Sequence, residues 1–465
     1  MTVSEQSAPE SRAHALSAAQ VDAMMQEGAY FVLNHFAQRE EIHNKVVAAI
    51  LDGVEALEGS SCRAHVAAEG PAQLHRYFPI RKIHLLEAFL MERLQDDLYY
   101  WSYRVGAETL GLQEPFYVDH LIVFRIHYPF IVARKEKSFE KPPYPWRDRL
   151  RFAHAALLDW RIVANMLVHR RKTREARNAH LAAFAPQRYH RDLPEAARSH
   201  GPHVDTWYGH SYDGINLWMA IDGVDEDNTV ILYPDMFGRP VDFDPENMYV
   251  RAGVQISPPH KIRLKPGELL VFNPETLHGT QVNISEQTRV ALTTRLNPRK
   301  PRFAARAPFH FDHWYSSDDL KRRRFSRITV FPITKNQGAP SIEERAPYAD
   351  ERTKRLTLSA PFPTTGDLAI CASRDLGAGQ KLAVDLDDAK IMLWRDQTIR
   401  AYSRICPHLG IDIADGSHTE SEVFCPGHGI GFSWSDGSSR CEAFRLRAMD
   451  AYERDGLIML KARAS

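Results

Sequence analysis

"CPHLGIDIADGSHTESEVFCPGHG" occupies residues 406–429 and carries two Cys/His pairs, Cys406-x-His408 and Cys425-x-x-His428, with sixteen residues between them. Four nitrogen and sulfur donors could hold tetrahedral zinc, but the common zinc pattern pairs two cysteines in one half and two histidines in the other. Here each half supplies one thiol and one imidazole. That division suits a [2Fe–2S] centre with two thiolates on one iron and two imidazoles on the other.

The loops "CPHLG" and "CPGHG", an aromatic-bearing strand after them and then "DGSSRC" resemble the Rieske fingerprint, over roughly residues 360–465. The resemblance implies a small all-β domain whose cluster ligands are Cys406, His408, Cys425 and His428. High-potential respiratory members add a cysteine to each ligand loop and join the two by a disulfide. Ile411 and Gly427 stand at those positions, so the resemblance is to the lower-potential ferredoxin and oxygenase type. Cys371 and Cys441 are then expected to be small buried hydrophobes. Gly410 and Gly427 are expected to let the loops close tightly over the cluster. The family also implies that the two imidazoles face solvent or a partner domain, as the exit for an electron.

The rest of the chain bounds what such a centre serves. At 465 residues the chain is long enough for two domains. Lys+Arg and Asp+Glu both total 59, so the net charge is zero, which argues against a dedicated nucleic-acid binder. No apolar run approaches the ~18–20 residues that span a bilayer. "MTVSEQSAPESRAHALSAAQ" lacks a basic start followed by an apolar stretch, so no secretory signal is expected. Five cysteines, sparse and odd in number, fit a reducing cytoplasm better than a disulfide framework.

Along the chain, residues 18–58 have helical spacing, including "FVLNHF" and "IHNKVVAAILDGVEAL". "HLIVFRIHYPFIVA" (120–133) predicts a buried strand pair, or a strand and its continuation. Residues 131–200 hold sixteen Lys/Arg against seven Asp/Glu, which reads as a helical insertion. Its charge could be a solvated face, an oligomer contact or an anion-attracting lid. From 203 to 297 the pattern turns to short strands, "GINLWMAI", "TVILYP", "HKIRLKPGELLVF" and "TRVALTTRLN", separated by Pro, Gly, Asn and Asp. That punctuation predicts a double-sheet barrel. The expected organisation is a barrel domain over 1–335, a linker over 336–355 and the small β domain over 356–465.

"GPHVDTWYGHS" contains His203-x-Asp205, and "PGELLVFNPETLHGTQVNISEQTRVALTTR" follows with His278 and, eleven residues later, Arg289. This combination resembles the iron(II)/2-oxoglutarate dioxygenases of the phytanoyl-CoA dioxygenase-like branch. The resemblance implies a cupin jelly-roll (double-stranded β-helix) in which His203, Asp205 and His278 hold Fe(II) on one face and leave positions open. Arg289 would grip the distal carboxylate of 2-oxoglutarate in a two-pronged salt bridge. The family often has a hydroxyl two residues after this Arg, where this sequence has Ala291. Thr293 and Arg295 share the face of Arg289 if the strand is regular. They are the substitutes, Thr293 for the hydroxyl and Arg295 as a second carboxylate anchor. Asn216 and Trp218 share another strand face and could line the same cavity. His210 is expected to line the pocket or orient a ligand.

Rieske oxygenases place the cluster domain first and a large catalytic domain after it, whereas only 24 residues follow Cys441 here. The expectation is therefore a non-heme iron dioxygenase barrel with a Rieske domain appended. It would oxidise a small molecule by hydroxylation or desaturation, in specialised metabolism, with the cluster supplying electrons to the mononuclear iron. A 2-oxo acid already supplies two electrons, so two alternatives stand beside this. One is a cluster-driven oxygenase that does not use 2-oxoglutarate, and the other an electron-transfer or redox-sensing protein with a degenerate barrel. Expected partners are a substrate, O2, a ferredoxin or NAD(P)H-dependent reductase, and a second copy of the chain. No nucleic acid and no membrane are expected.

Overall fold

The computed structural model describes residues 15–136, 138–140, 200–208, 210–244, 249–251, 254–303, 313–325, 329–330, 353–408 and 410–462, with the backbone of residues 12–13. The expected insertion over 131–200 and the expected linker over 336–355 lie for the most part outside these residues. The chain is mostly β with added helices, as expected. No helix among the described residues is long and apolar enough to cross a membrane.

Two sheets face each other in the first part of the chain. The larger runs, in spatial order, Phe31–Leu33, Leu269–Phe272, Ile215–Asp222, Arg289–Asn297, Tyr117–Asp119 and His313–Ser316, and Val123–His127 also pairs with Arg289–Asn297. The smaller runs His260–Lys261, Val230–Tyr233, Leu277–Thr280 and His200–His203. Period-2 alternation assigns each strand an inside and an outside. Trp218, Ala220, Leu270 and Ala291 of the larger sheet meet Val230 and Leu232 of the smaller across an apolar interior. The outer face of the larger sheet (Leu217, Met219, Leu269, Val290, Leu292) packs against helices Arg39–Glu58 and Ile83–Arg104. Ile42, Val46, Ile50 and Val54 of one helix and Leu86, Leu90, Leu94 and Leu98 of the other are buried at steps of four.

Two local expectations change. The helix expected across 18–58 is two helices, Ala18–Glu27 and Arg39–Glu58, with the strand Phe31–Leu33 between them. Gly28 caps the first in the left-handed region (φ 72°). Phe31–Leu33 then pairs antiparallel with Leu269–Phe272, a tertiary contact that outweighs its local spacing. Over 120–133 the strand is Val123–His127, and beyond Pro129 the chain turns into the short helix Phe130–Ala133.

The C-terminal part builds a five-stranded sheet in the order Arg355–Thr357, Gln380–Asp385, Lys390–Arg395, Ile399–Ser403, Ala448–Met449. A three-stranded sheet of Leu368–Ala372, Leu457–Leu460 and Ala451–Arg454 accompanies it. Cys406 and His408 follow Ile399–Ser403, and the hairpin Glu422–Phe424/Gly431–Ser433 carries Cys425 and His428 at its tip. Arg404 fastens the first loop. It is 1% exposed, with Nη2 2.6 Å from Asp385 Oδ1 and Nε 3.0 Å from Asp412 Oδ2.

Arg404→Ala strips Asp385 of this guanidinium and leaves Asp412 only the more exposed Arg355, whose Nη1 stands 3.3 Å from Asp412 Oδ2. Both carboxylates keep some water, so the loss falls toward the lower end of that for a broken buried pair, about 3 kcal/mol. The check is the urea midpoint of the variant against the parent, with loss of the ligand-loop signals first.

Candidate metal centres

His278 stands directly opposite His203 in the antiparallel pair of Leu277–Thr280 with His200–His203. Asp205 opens the turn Asp205–Tyr208 two residues past the end of the strand, its N–H donating to the Pro274 carbonyl at 2.9 Å. The three side chains converge. His203 Nε2 and His278 Nε2 lie 3.8 and 3.7 Å from Asp205 Oδ1. Nδ1 of His203 is 2.7 Å from the Gly201 carbonyl and Nδ1 of His278 is 2.8 Å from the Thr276 carbonyl. Each Nδ1–H therefore donates to the backbone, and each Nε2 lone pair is left toward the shared point. All three residues are buried. Imidazole and carboxylate donors on one side of a polar point suit Fe(II).

The electrostatics favour a cation there. Burial pushes the His203 and His278 imidazoles below their ordinary range. Burial would push Asp205 up, but the charge of Arg295, with His278, His210 and His203, overrides it and holds the carboxyl well below the usual range. Near neutral pH the three side chains are thus a carboxylate and two neutral imidazoles, a donor set that could hold a metal ion.

Two residues expected at the co-substrate grip Asp205 instead. Arg295 Nε and Nη2 both lie 3.1 Å from Asp205 Oδ2, and Asn216 Nδ2 donates to the same oxygen at 2.8 Å. Arg295 and Asn216 are cross-strand partners, so one register places both on the ligand carboxylate. Thr293 keeps the face of Arg289, but its hydroxyl is turned toward the Val123 carbonyl at 3.4 Å. His210 lies beside this ion pair, held by burial and Arg295 down at about 4. Trp207 stacks on Phe243 at 4.3 Å as core.

Arg289 is 1% exposed. Its Nη1 donates to the Asn228 carbonyl at 2.7 Å, while Nε and Nη2 have no hydrogen-bond partner among the described residues. Burial, helped by Arg125, pushes this guanidinium down to about 9. Arg125, which sequence reasoning missed, is the cross-strand partner of Ala291 and so shares its side of the sheet, although Arg125 itself is exposed. Only the pairing of Val123–His127 with Arg289–Asn297 reveals it, and no motif marks it.

In the second centre, ligand atoms of Cys406, Cys425 and His428 lie within 4.8 Å of one another, all buried. Cys425 Sγ is 3.6 Å from His428 Nδ1. The His408 ring centre is 4.5 Å from that of His428, at 77°. Burial, and then the neighbouring Cys406 thiol, push Cys425 well above its ordinary range. Two such thiols ionise together only against a strong cationic centre, so the donor set fits an iron–sulfur cluster. Ile411 lies over Gly427, where an added Cβ would come 2.2 Å from Ile411 Cδ1. Side-chain packing thus occupies the place that a disulfide takes in the respiratory type. Cys441 is buried and Cys371 half-buried, both as free thiols.

Residues 187–291 match the family model of Phytanoyl-CoA dioxygenase (PhyH), and residues 367–451 match that of the Rieske [2Fe-2S] domain. The chain thus carries a dioxygenase domain followed by a Rieske domain, the order expected, and is an enzyme of the non-heme iron oxygenase class with a Rieske centre. No curated protein matches the chain. Among solved structures, the ferredoxin of carbazole 1,9a-dioxygenase from Nocardioides aromaticivorans IC177 is similar at 25% identity over 21% of this chain and 100% of its own, TM-score 0.20. Apo dicamba monooxygenase is similar at 24% identity over 22% of this chain and 34% of its own, TM-score 0.20. The terminal oxygenase of carbazole 1,9a-dioxygenase from Novosphingobium sp. KA1 is similar at 20% identity over 23% and 31%, TM-score 0.21. The chain therefore spans the whole of that ferredoxin and about a third of the oxygenases.

Two outcomes follow from the ion pair and the burial. Arg295→Leu frees Asp205 from its main cation, and Fe(II) affinity is expected to fall about 10–100-fold in an anaerobic titration, with the fold unchanged by circular dichroism. In the metal-free protein the unfolded chain protonates its histidines near pH 6.5, whereas burial holds His127, His200, His203, His210 and His278 lower. Stability is then full above about pH 7 and lost as pH falls through that value. The urea midpoint is expected to be lower at pH 5.5 than at 7.5, and added Fe(II) should narrow the gap.

Proposed function

We propose that the chain is an iron(II)- and 2-oxoglutarate-dependent oxygenase acting on a small molecule in the cytoplasm, with its Rieske domain supplying electrons to the mononuclear iron. The observation that carries the 2-oxoglutarate reading is Arg289. A fully buried guanidinium with two unpartnered nitrogens is costly unless an anion completes it. It stands on the inward face of the larger sheet, on the strand that also carries Arg295. A carboxylate reaching Arg289 would take both free N–H groups, and Arg125, opposite Ala291, would offer a second guanidinium where the family usually has a hydroxyl.

His203, Asp205 and His278 would hold the iron. Bound there, Fe(II) would bring O2 and the 2-oxo acid together, with 2-oxoglutarate oxidised to succinate and CO2 to provide two electrons. Arg295 and Asn216 would keep Asp205 on one oxygen, so that the other faces the metal. The interior walls, Trp218, Ala220, Val230 and Leu232, exclude water from the co-substrate. Hydroxylation or desaturation of a C–H bond, in specialised metabolism, is the reaction proposed. A ferredoxin or NAD(P)H-dependent reductase would reduce the cluster.

A second reading, in which all electrons come through the cluster and no 2-oxo acid is used, is favoured by the way the cluster loops meet the barrel, described below. The two readings separate on Arg289. In an anaerobic Fe(II) titration with 2-oxoglutarate, followed by the weak visible charge-transfer band, Arg289→Ala is expected to weaken co-substrate binding by about 30-fold or more. It should abolish succinate release while leaving Fe(II) affinity near that of the parent. Product formation that survives Arg289→Ala and needs only NAD(P)H and a reductase would establish the second reading.

A further inference from the structure

The two imidazoles of the Rieske loops do not face solvent. His408 is 2% and His428 5% exposed, and what covers them is the barrel of the same chain. Two contacts make the seal. The Phe130 ring, from the helix that follows Val123–His127, stands 5.2 Å from the His408 ring and 4.6 Å from the Phe444 ring. Gly429, next in sequence to His428, lies against Ile231, where a Cβ on the glycine would come 2.8 Å from Ile231 Cδ1. Gly429 has φ +67°, so both its backbone and its neighbour require glycine there. Tyr233, two residues along the same strand face, is buried beside Cys425, and burial first, then that neighbour, raises its phenol. At the rim, Arg440 pairs with Glu226 and with Asp227, the latter at 3.2 Å.

The strand touched is the one that matters. Val230–Tyr233 pairs with Leu277–Thr280 in the register Ile231↔Gly279 and Leu232↔His278. Ile231, Tyr233 and Leu277 cluster on the outer face, while Leu232 and His278 face inward. The residue after one cluster ligand thus packs on the ladder partner of the residue after an iron ligand: His428–Gly429 against Ile231, Ile231 paired with Gly279, Gly279 bonded to His278. A single layer of sheet separates the two centres along this path.

We infer that the outer face of the Val230–Tyr233/Leu277–Thr280 pair is the electron exit of the Rieske domain, so that transfer to the mononuclear iron occurs within one chain and needs no second subunit. This rests on the functional reading that the cluster reduces that iron. The step is one electron: the reduced cluster returns to its oxidised form and Fe(III) becomes Fe(II), with no proton or bond change required of these residues. The electron comes to the cluster from an external one-electron donor, a ferredoxin or flavin-dependent reductase. Because the imidazole face is closed by Phe130 and Ile231, that donor meets the chain elsewhere than at the imidazoles.

The test uses the full, iron-loaded chain with its mononuclear iron ferric. The cluster is reduced by one equivalent of dithionite in a rapid mixer, and its re-oxidation is followed by visible absorbance and by its electron paramagnetic resonance signal. The expected result is a first-order decay whose rate is unchanged over a tenfold range of protein concentration. Ile231→Trp, which wedges the loop away from the sheet, and Phe130→Ala, which unseals His408, are expected to slow that decay at least tenfold. The cluster signal itself should stay unchanged, and deuterium uptake over 425–430 and 230–233 should rise. A rate proportional to concentration, or variants that loosen the contact without slowing the decay, would overturn the intrachain route alone. A cluster that stays reduced at every concentration, while a small reductant still reduces the iron, would overturn the functional reading as well.

Discussion

The structure depends on the pairing of one short strand. Leu277–Thr280 lies between Val230–Tyr233 and His200–His203, and its register decides two things together. Opposite His203 it places His278, so the two imidazoles point into the interior with Asp205 beyond them. Opposite Ile231 it places Gly279, so the reverse face is apolar and close enough for the Gly429 loop to rest on. A slip of one residue in this strand would exchange its faces, turning His278 outward, away from His203 and Asp205, and presenting Leu277 and Gly279 to the interior. The catalytic half and the redox half of the chain are thus specified by one ladder.

The apolar core follows from the same economy. It runs from the helices over the outer face of the larger sheet through Phe130 to Cys406, Ile413, Phe432 and Phe444. The Rieske loops are therefore packed on the barrel as an interior surface, and not suspended from it. Polar contacts mark the seam: Gln255 Nε2 donates to Thr353 Oγ1 at 3.1 Å, and Thr353 Oγ1 to the Ala414 carbonyl at 2.7 Å.

Which side chains gather was legible in the order of residues: the H-x-D pair with its remote His, and the thiols and imidazoles at fixed spacing, predicted the groups His203/Asp205/His278 and Cys406/Cys425/His428 that the fold brings together. Ile215–Asp222 was legible as a short apolar run bounded by turn residues, and it is buried on both faces. What could not be read depends on which strands meet. Arg295 and Asn216 were expected beside the co-substrate from their position on the right faces. They turn to Asp205 because their strands pair in the register Arg295↔Asn216. Arg125 lies on a strand with no motif and becomes relevant through its pairing with Ala291. Phe31–Leu33 carries a helical spacing that a sheet edge overrides. The contact of His408 with Phe130 joins residues 278 positions apart in sequence, beyond any local pattern.

The packing of Ile411 over Gly427 carries a consequence for how the cluster loops are kept shut. A cystine clasp opens when the surrounding thiol pool turns reducing, and it must first be made by an oxidant. An isoleucine methyl seated on a bare Cα has no such chemistry. The closure of these loops is accordingly indifferent to glutathione poise, and it forms as soon as the two loops meet, without a maturation step at sulfur.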